Sequence, residues 1–251
     1  MSAKLQAEKI EKVVLVTGSA RRVGAAIIKA FHADGYRVIV HYRHSAKEAD
    51  ALTASLNAIR PQSAYAMPAD LDQPDLYDAF IEQCYHCFNR LDVLIHNAST
   101  FTPTPIGSTS LAQWDYLFNS NLKAPFYLSQ AAAPFLKATE GSIINIVDIH
   151  AISPMKNYTV YNCAKAGLHM LTKSLATELA PHIRVNAVAP GNVIWPENEN
   201  TYSEEKKAKL IDATLLKRQV CPEDIARTAL FLANQTAITA QMIHVDAGKL
   251  V

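Results

Sequence analysis

Short apolar runs alternate with longer amphipathic segments along most of the chain. The apolar runs have the length and the β-branched content of buried strands, and segments of helical length separate them. Seven runs are predicted as strands: Val13–Val16, Arg37–Val40, Ala64–Pro68, Leu91–Ile95, Ser142–Val147, Arg184–Val188 and Met242–Val245. Because these runs are apolar on both faces, the pattern predicts a parallel sheet covered by helices on both sides.

The segments between the runs carry helix boundary signals. Gly35 suits the position after a helix end, and Ser45 and Glu48 have the spacing of a capping box that begins the next helix. Further helices are predicted to stop before Pro61, to begin near Pro74, to span about Leu111–Lys137, to follow Tyr158 and to begin near Pro222. This order predicts a single-domain, Rossmann-type, doubly wound α/β fold over residues 1–251, with about seven parallel strands. Such sheets bind ligands beyond the carboxyl ends of their strands.

The composition is that of a globular protein, with 49% hydrophobic and 19% charged residues. The net charge of +1 gives no field that attracts nucleic acid, and no apolar run approaches the ~18 residues needed to span a bilayer. Four cysteines are too few for a disulfide framework, and Cys84 and Cys87 lack a second ligand pair for a metal. We therefore expect a cytoplasmic protein with reduced thiols, no metal site, no nucleic-acid partner and no membrane association.

The segment after the first predicted strand has features of a phosphate-binding turn. Thr17–Gly24 leads from that strand into the first helix, where backbone N–H groups and the helix dipole favour an anion. Only two of the usual three glycines are present, so an ordinary strand–helix turn is the alternative. The candidate contacts to cofactor phosphates are Gly18, Arg21, Arg22 and Val23.

The end of the second predicted strand favours NADP over NAD. An NAD site usually has an Asp or Glu there for the ribose 2′-hydroxyl, whereas this chain has the basic segment His41–Ser45. An Arg fork with Ser or His donors can bind a 2′-phosphate, which a carboxylate would repel. The candidate contacts are His41, Arg43, His44 and Ser45, and a solvated basic loop is the alternative. At later strand ends, Asp70 and Leu71 are expected to flank the adenine, and Asn97, Ala98 and Ser99 to line the central cleft.

Tyr161 and Lys165 lie at positions i and i+4, on one face of a predicted helix. A phenol has a pKa of about 10, so a nearby ammonium is needed to make it a useful acid at neutral pH. A bare pair with this spacing is usually a surface pair. Here the pair opens the helix after the fifth strand and faces the same edge of the sheet as the glycine turn.

Five motifs together resemble the short-chain dehydrogenase/reductase superfamily in order and spacing. They are Thr17–Gly24, Asn97-Ala98, Asn121, Tyr161 with Lys165, and Pro190-Gly191, and they cover essentially the whole chain. The resemblance implies that Tyr161 serves as the acid, and that Lys165 lowers the pKa of Tyr161 and holds the nicotinamide ribose. It also implies that Asn121 supports a proton-relay water and that Pro190 and Gly191 contact the cofactor.

Asp148 departs from the superfamily pattern, which usually has a Ser thirteen residues before the tyrosine to hold a substrate carbonyl. An ionised carboxyl there would repel a developing oxyanion and raise the pKa of the tyrosine. It can instead accept hydrogen bonds from ring N–H groups or pass a proton. Asp148, Arg22, the basic segment His41–Ser45 and the loop Asn97–Phe101 together resemble the pteridine reductase group.

This second resemblance implies the substrate contacts. Phe101 would stack on one face of a pterin with the nicotinamide on the other, and Ser99 and Arg22 would contact both ligands. Residues of about 192–213 occupy the place of the superfamily's substrate lid, where Trp195 would close over the pterin side chain or only pack the lid. The superfamily also implies a homotetramer. The candidate substrate contacts are Arg22, Ser99, Phe101, Asp148, Tyr161 and Trp195.

The predicted activity is NADPH-dependent reduction of a ring C=N bond of a pterin, with a proton added to the adjacent nitrogen. Dihydrobiopterin, dihydromonapterin and dihydrofolate are the candidate substrates. Tyr161 with Asp148 is the expected proton route, and a water near Arg22 is the alternative at the other ring position. Two other hypotheses are a reductase of another carbonyl or imine compound and an NADP(H)-sensing protein without turnover. The intact Asn121, Tyr161 and Lys165 argue against the sensor.

Overall fold

The sheet has seven parallel strands, as the apolar pattern predicts. The structure is a computed structural model that describes residues 11–193 and 202–250. The strands are β1 (Val13–Val16), β2 (Arg37–Tyr42), β3 (Ala64–Pro68), β4 (Val93–His96), β5 (Ser142–Ile146), β6 (Arg184–Pro190) and β7 (Met242–Val245). Their spatial order is β3-β2-β1-β4-β5-β6-β7, and each neighbouring pair is parallel. The predicted single-domain, Rossmann-type fold is confirmed.

Helices cover both faces of this sheet. They are α1 (Arg22–Ala33), α2 (Ala46–Ile59), α3 (Tyr77–His86), α4 (Leu111–Phe118), α5 (Ala124–Lys137), α6 (Thr159–Leu179), α7 (Glu204–Asp212) and α8 (Pro222–Asn234). Short 3₁₀ turns occupy Pro74–Leu76 and Ile149–Ala151, and a π-helical turn occupies Asn119–Lys123. Each helix that the sequence predicts is present, and α7 adds one inside the expected lid region.

The residues of strand β1 are all apolar because the strand lies between two layers of helices. Val14 and Val16 pack with residues of α1, α2 and α8, whereas Val13 and Leu15 pack with residues of α3, α5 and α6. Side chains alternate between the two faces of a strand, so a strand between two helical layers needs apolar residues at every position. All four are 1% exposed or less.

The order of the strands places a crevice at the carboxyl ends of β1 and β4. The chain builds β1, β2 and β3 in one direction and then returns to add β4 on the other side of β1. The connections after β1 and β4 therefore leave the sheet towards opposite faces, which opens the crevice where such folds bind ligands. Thr17 and Asn97 are the first residues after these two strands.

Two local predictions were wrong or incomplete. Ser45 precedes α2, but its side chain makes no cap hydrogen bond, and its ψ of 52° is not the extended conformation of an N-cap residue. Glu48, the expected partner in the capping box, instead lies 3.7 Å from the guanidinium of Arg21. The long helix predicted from Leu111 to Lys137 is interrupted by the π turn. The end of α1 is as predicted, because Gly35 follows it with a left-handed φ of +97°.

No helix within residues 11–193 and 202–250 is long and apolar enough to cross a membrane. In the same ranges, no group of three or more His, Cys, Asp and Glu side chains is arranged to hold a metal ion. Cys84 is buried in α3 and Cys87 is half-buried just after it.

Candidate active site

A cleft of about 760 Å³ opens at the carboxyl ends of the strands. Most of the residues predicted to bind a cofactor or substrate line it. Those lining it are Gly18, Arg21, Arg22, Val23, His41, Arg43, His44, Ser45, Leu71, Asn97, Ala98, Ser99, Phe101, Asp148, Tyr161, Lys165, Pro190 and Gly191. Asp72 lines the cleft where Asp70 was predicted, and Asn121 lies behind the wall, fully buried. Trp195 lies outside the described residues.

The glycine turn after β1 packs so closely that only glycine fits at two positions. Gly18 has a φ of +61°, and a Cβ built on it would lie 2.9 Å from the Cα of Ala98. A Cβ on Gly24 would lie 2.6 Å from the carbonyl oxygen of Gly18. The Asn97 side-chain amide donates to the carbonyls of Thr17 and Gly18, both at 2.9 Å. The turn and the segment after β4 therefore form one rigid floor.

Arg22 adopts the backbone conformation of the missing third glycine. Its φ is +55°, in the left-handed region, although it is the first residue of α1. This conformation costs a non-glycine residue about 1–2 kcal/mol. Strain of this kind persists where the surrounding structure or the function of the residue demands it. Arg22 and Arg21 both line the cleft.

His41 supports the turn and has no ring nitrogen left for a ligand. Its Nδ1 accepts from the Gly18 N–H at 2.8 Å, and its Nε2 donates to the carbonyl of Ala69 at 3.2 Å. Burial lowers its pKa to about 4, so the ring is neutral at physiological pH. Backbone groups therefore occupy both ring nitrogens, while the residue also lines the cleft, and its predicted contact with a cofactor stays a prediction. In the sequence, a histidine at the end of a strand looks the same whether its ring contacts a cofactor or supports the glycine turn.

Arg43 is exposed at the predicted 2′-phosphate position and is held by two carboxylates. Its Nη1 donates to Asp72 at 2.9 Å and to Asp70 at 3.4 Å. His44, which is exposed, and Ser45 line the cleft beside it. One carboxylate oxygen of Asp72 is buried without a hydrogen-bond partner among the described residues. The pairing keeps the guanidinium at the cleft edge.

Asp148, Tyr161 and Lys165 converge between the end of β5 and the start of α6. The phenol of Tyr161 donates to Oδ2 of Asp148 at 2.7 Å, and Oδ1 accepts from the backbone N–H of His150 at 2.8 Å. The ammonium of Lys165 donates to the carbonyl of Ile146 at 3.0 Å and lies 5.7 Å from the centre of the Tyr161 ring. Three of the four groups predicted as catalytic are thus brought together, and the fourth is Asn121.

Burial dominates the acid–base properties of this cluster. Burial and the Asp148 carboxylate raise the pKa of Tyr161 well above its usual value. The resemblance implies the opposite direction, through Lys165. Burial lowers the pKa of Lys165 to about 8, against the opposing effect of Asp148. In this state the phenol is therefore a protonated hydrogen-bond donor committed to the carboxylate.

Asn121 lies in the π turn, and its side chain is fully engaged by protein groups. Its amide nitrogen donates to the carbonyls of Thr100 and Leu117, each at 2.9 Å. Its amide oxygen accepts from the hydroxyl of Ser99 at 2.7 Å. This arrangement connects Asn121 to the cleft through Ser99.

An aromatic wall that was only partly predicted faces this cluster. The ring of Phe101 stacks on Tyr158, with centroids 4.5 Å apart and planes 14° apart, and meets Tyr161 edge-on at 4.9 Å. Tyr158 was missed, although it lies three residues before Tyr161 and close to the same helical face. Further cleft residues that the sequence did not single out are Thr100, His150, Met155, Asn192 and Tyr202.

Comparisons with known proteins agree with this arrangement. A family model described as enoyl-(acyl carrier protein) reductase matches residues 18–249. Pteridine reductase 1 of Leishmania tarentolae is 35% identical over 277 aligned positions, covering 94% of this chain and 95% of that protein. A 3-oxoacyl-(acyl-carrier-protein) reductase of Staphylococcus aureus is 34% identical over 244 positions, covering 96% and 98%. The 3beta-hydroxysteroid dehydrogenase 1 of Eggerthella lenta is 32% identical over 243 positions, covering 94% and 93%.

The chain belongs to the short-chain dehydrogenase/reductase superfamily, and it is an oxidoreductase of that class. Members of this superfamily typically use NAD(H) or NADP(H). The similar proteins carry names with different substrates at nearly equal identity, so the substrate has to be argued from the site.

A first prediction concerns the strain at Arg22. Arg22→Gly and Arg22→Ala both remove the guanidinium, but only glycine adopts a positive φ freely. We expect the glycine variant to have the larger free energy of unfolding, by about 1 kcal/mol. Urea denaturation of both variants measures the difference. At an ordinary helical position alanine is the better residue, so a more stable alanine variant would contradict the strain.

A second prediction concerns Lys165. Its pKa of about 8 lies below the value of about 10.4 in an unfolded chain. Between these values the unfolded chain binds a proton that the folded protein does not, so stability rises with pH in this window. We expect the free energy of unfolding of the wild type, minus that of Lys165→Met, to rise by about 3 kcal/mol from pH 8 to above pH 10. A difference that is flat or falls would show that burial does not lower this pKa.

Proposed function

We propose that this protein is an NADPH-dependent pteridine reductase that reduces a ring C=N bond of a dihydropterin to give the tetrahydropterin. The observation that carries the proposal is the hydrogen bond of 2.7 Å from Tyr161 to Asp148 in a cleft walled by Phe101. A carboxylate at this place suits a substrate with ring N–H donors better than a ketone.

The cleft fits a nicotinamide dinucleotide. The Cβ-free turn at Gly18 and Gly24 lets a pyrophosphate approach the start of α1, where backbone N–H groups favour an anion. The side-chain nitrogen of Asn192 is buried at the cleft without a partner among the described residues, so a donor is available near Pro190 and Gly191. When bound, the nicotinamide supplies the hydride.

Each predicted cofactor contact has a role in this proposal, and that of His41 is to support Gly18 beside the phosphates. Gly18, Arg21, Arg22 and Val23 hold the phosphates, and Asp70 and Leu71 flank the adenine. Arg43, His44 and Ser45 bind the 2′-phosphate, which favours NADP over NAD. Asn97, Ala98 and Ser99 line the centre of the cleft, and Tyr161 and Lys165 hold the nicotinamide ribose. Pro190 and Gly191 contact the cofactor at the end of β6, on the other side of the cleft.

The substrate side of the cleft suits a flat heterocycle. Phe101 is 43% exposed, with one ring face packed on Tyr158 and its remaining exposed surface at the cleft. Aromatic stacking on that surface would hold a pterin ring, while Ser99 and Arg22 bind its edge. Asp148 accepts from ring N–H groups of the pterin, and Trp195 is the proposed lid contact.

The chain's own residues move the proton. Tyr161 keeps its proton because burial and Asp148 raise its pKa, and its phenol donates to Asp148, so in this proposal the proton reaches the ring nitrogen through the Tyr161–Asp148 pair. Asp148 holds the phenol in place, and Asn121 fixes Ser99 beside it. Lys165 bears a charge below pH 8, which favours anionic groups near the phenol.

A second candidate function is reduction of a carbonyl compound. The identity of 34% to a 3-oxoacyl-(acyl-carrier-protein) reductase, nearly equal to the 35% for pteridine reductase 1, is the observation that favours it. Asp148 argues against it, because a carboxylate repels the oxyanion that forms when a ketone is reduced. An NADP(H) sensor without turnover remains a third hypothesis, and the assembled Asp148, Tyr161 and Lys165 argue against it.

An apolar groove away from the cleft supports the proposal of a homotetramer. It has a volume of about 390 Å³ and lies on the π turn, α5 and α6. Its lining includes Phe118, Leu122, Phe126, Tyr127 and Leu171. Exposed apolar surface of this kind is typical of contacts between protein chains. We also place the protein in the cytoplasm, as its sparse cysteines suggest.

The reaction is tested by NADPH oxidation with dihydrobiopterin, dihydromonapterin and dihydrofolate. We expect turnover of at least one of them, and a fall in kcat/KM of about a hundredfold or more in Asp148→Ser, because the phenol and the substrate lose their carboxylate partner. Asp50→Ser, an exposed carboxylate on α2, is the control and should behave as the wild type. No pterin turnover together with rapid reduction of a 3-oxoacyl substrate would overturn the proposal.

The cofactor preference is tested with Arg43→Ala. Loss of a charged hydrogen bond to the 2′-phosphate should weaken NADPH binding by about 1.5–3 kcal/mol, roughly ten- to a hundredfold in Kd, and leave NADH binding unchanged. Arg37→Ala removes a guanidinium from the opposite end of β2, where it pairs with Glu11, and should change neither affinity. Equal losses for NADPH and NADH would show that Arg43 does not select the phosphate.

A further inference from the structure

The segment that carries Ser99 and Phe101 has no strand or helix of its own. Residues 97–103 follow β4 as irregular backbone, and yet both side chains line the cleft. Substrate stacking requires the ring of Phe101 to keep its place against Tyr158. Some other part of the molecule must therefore hold the segment in register.

Thr100, between these two residues, connects the segment to the π turn. Its hydroxyl donates to the carbonyl of Tyr116 at 3.1 Å, which leaves the hydroxyl oxygen to accept from Ser120 at 2.7 Å. The same oxygen lies 3.3 Å from the amide nitrogen of Asn121. One hydroxyl thus joins three residues of the α4–π-turn region.

The side chain of Asn121 forms hydrogen bonds both to the backbone of Thr100 and to the side chain of the preceding residue, Ser99. It donates to the Thr100 carbonyl at 2.9 Å and accepts from the Ser99 hydroxyl at 2.7 Å. The side chain of Asn121 is fully buried, so water does not compete for these bonds.

The π turn explains why helix carbonyls take part in these bonds. A π turn pairs each N–H with the carbonyl five residues back, which shifts the helix out of α-helical register, and such turns often occur at functional sites. At the end of α4, the carbonyl of Tyr116 accepts from Thr100 and the carbonyl of Leu117 accepts from Asn121. Hydrogen bonds therefore join the break in the helix to residues 97–103, the segment that follows β4.

We propose that Thr100 is a positioning residue that places the Ser99 hydroxyl and the Phe101 ring where they contact the substrate. Hydrogen bonds from Ser120 and Asn121 of the π turn hold Thr100, and we call this set of bonds the clamp. Thr100 acts through its two neighbours, on opposite sides of it in the chain. The identity of the substrate rests on the proposed function, whereas the clamp itself is a property of the fold.

The test compares Thr100→Val, which keeps the shape and removes the hydroxyl, with Thr100→Ser, which keeps the hydroxyl. Thr109→Val is the matched control, because it removes the hydroxyl of a half-buried threonine whose hydrogen bond to the Pro105 carbonyl lies away from the π turn. Amide hydrogen exchange over residues 97–101 is measured in the NADPH-bound protein, together with kcat and KM for the dihydropterin that the wild type reduces. Thermal unfolding confirms that each variant is folded.

We expect faster exchange in Thr100→Val alone, with a KM for dihydropterin raised about tenfold or more and kcat less affected. Thr100→Ser should restore both. Unchanged exchange in Thr100→Val would overturn the clamp, and faster exchange with wild-type KM and kcat would overturn its role in positioning substrate. If the wild type reduces no pterin, the proposed function fails, and the exchange measurement still decides whether Thr100 holds the segment.

Discussion

The hydrogen bond from Tyr161 to Asp148 is the interaction on which the site depends. It joins the end of β5 to the start of α6 at 2.7 Å, in a place that also buries Lys165. The carboxylate is tolerated there because its two oxygens accept from the Tyr161 phenol and the His150 N–H. The same bond keeps the phenol protonated, and the ability of the carboxylate to accept further hydrogen bonds supports the proposed substrate with ring N–H donors.

The fold sustains two locally unfavourable features in the cleft that contains this bond. Arg22 holds a left-handed backbone conformation, and Lys165 is 2% exposed with its pKa lowered to about 8. Each would destabilise an isolated element by about 1 kcal/mol or more. They persist because close-packed glycine turns and strands buried on both faces fix the surrounding backbone. Unfavourable residues that survive in a well-packed fold commonly mark function.

The strands and the edge that carries the site could be predicted from the sequence, because apolar runs of strand length determine the sheet and parallel topology brings the strand ends together. Other features depended on contacts between distant residues. Glu48 lies beside Arg21 instead of capping α2, and the ring of His41 bonds to the Gly18 N–H at the cleft. The π turn was not predicted, and its side chains bond to Thr100, a residue from another part of the fold.

Transfer of an isotopic label tests the central claim most directly. NADPH deuterated at C4 of the nicotinamide would be incubated with the protein and a dihydropterin, and the product examined by mass spectrometry and NMR. The account predicts one deuterium on the reduced ring carbon of the tetrahydropterin, incorporated about a hundredfold or more slowly when Asp148 is replaced by Ser. Unlabelled pterin after prolonged incubation, with the cofactor oxidised by a ketone substrate instead, would contradict it.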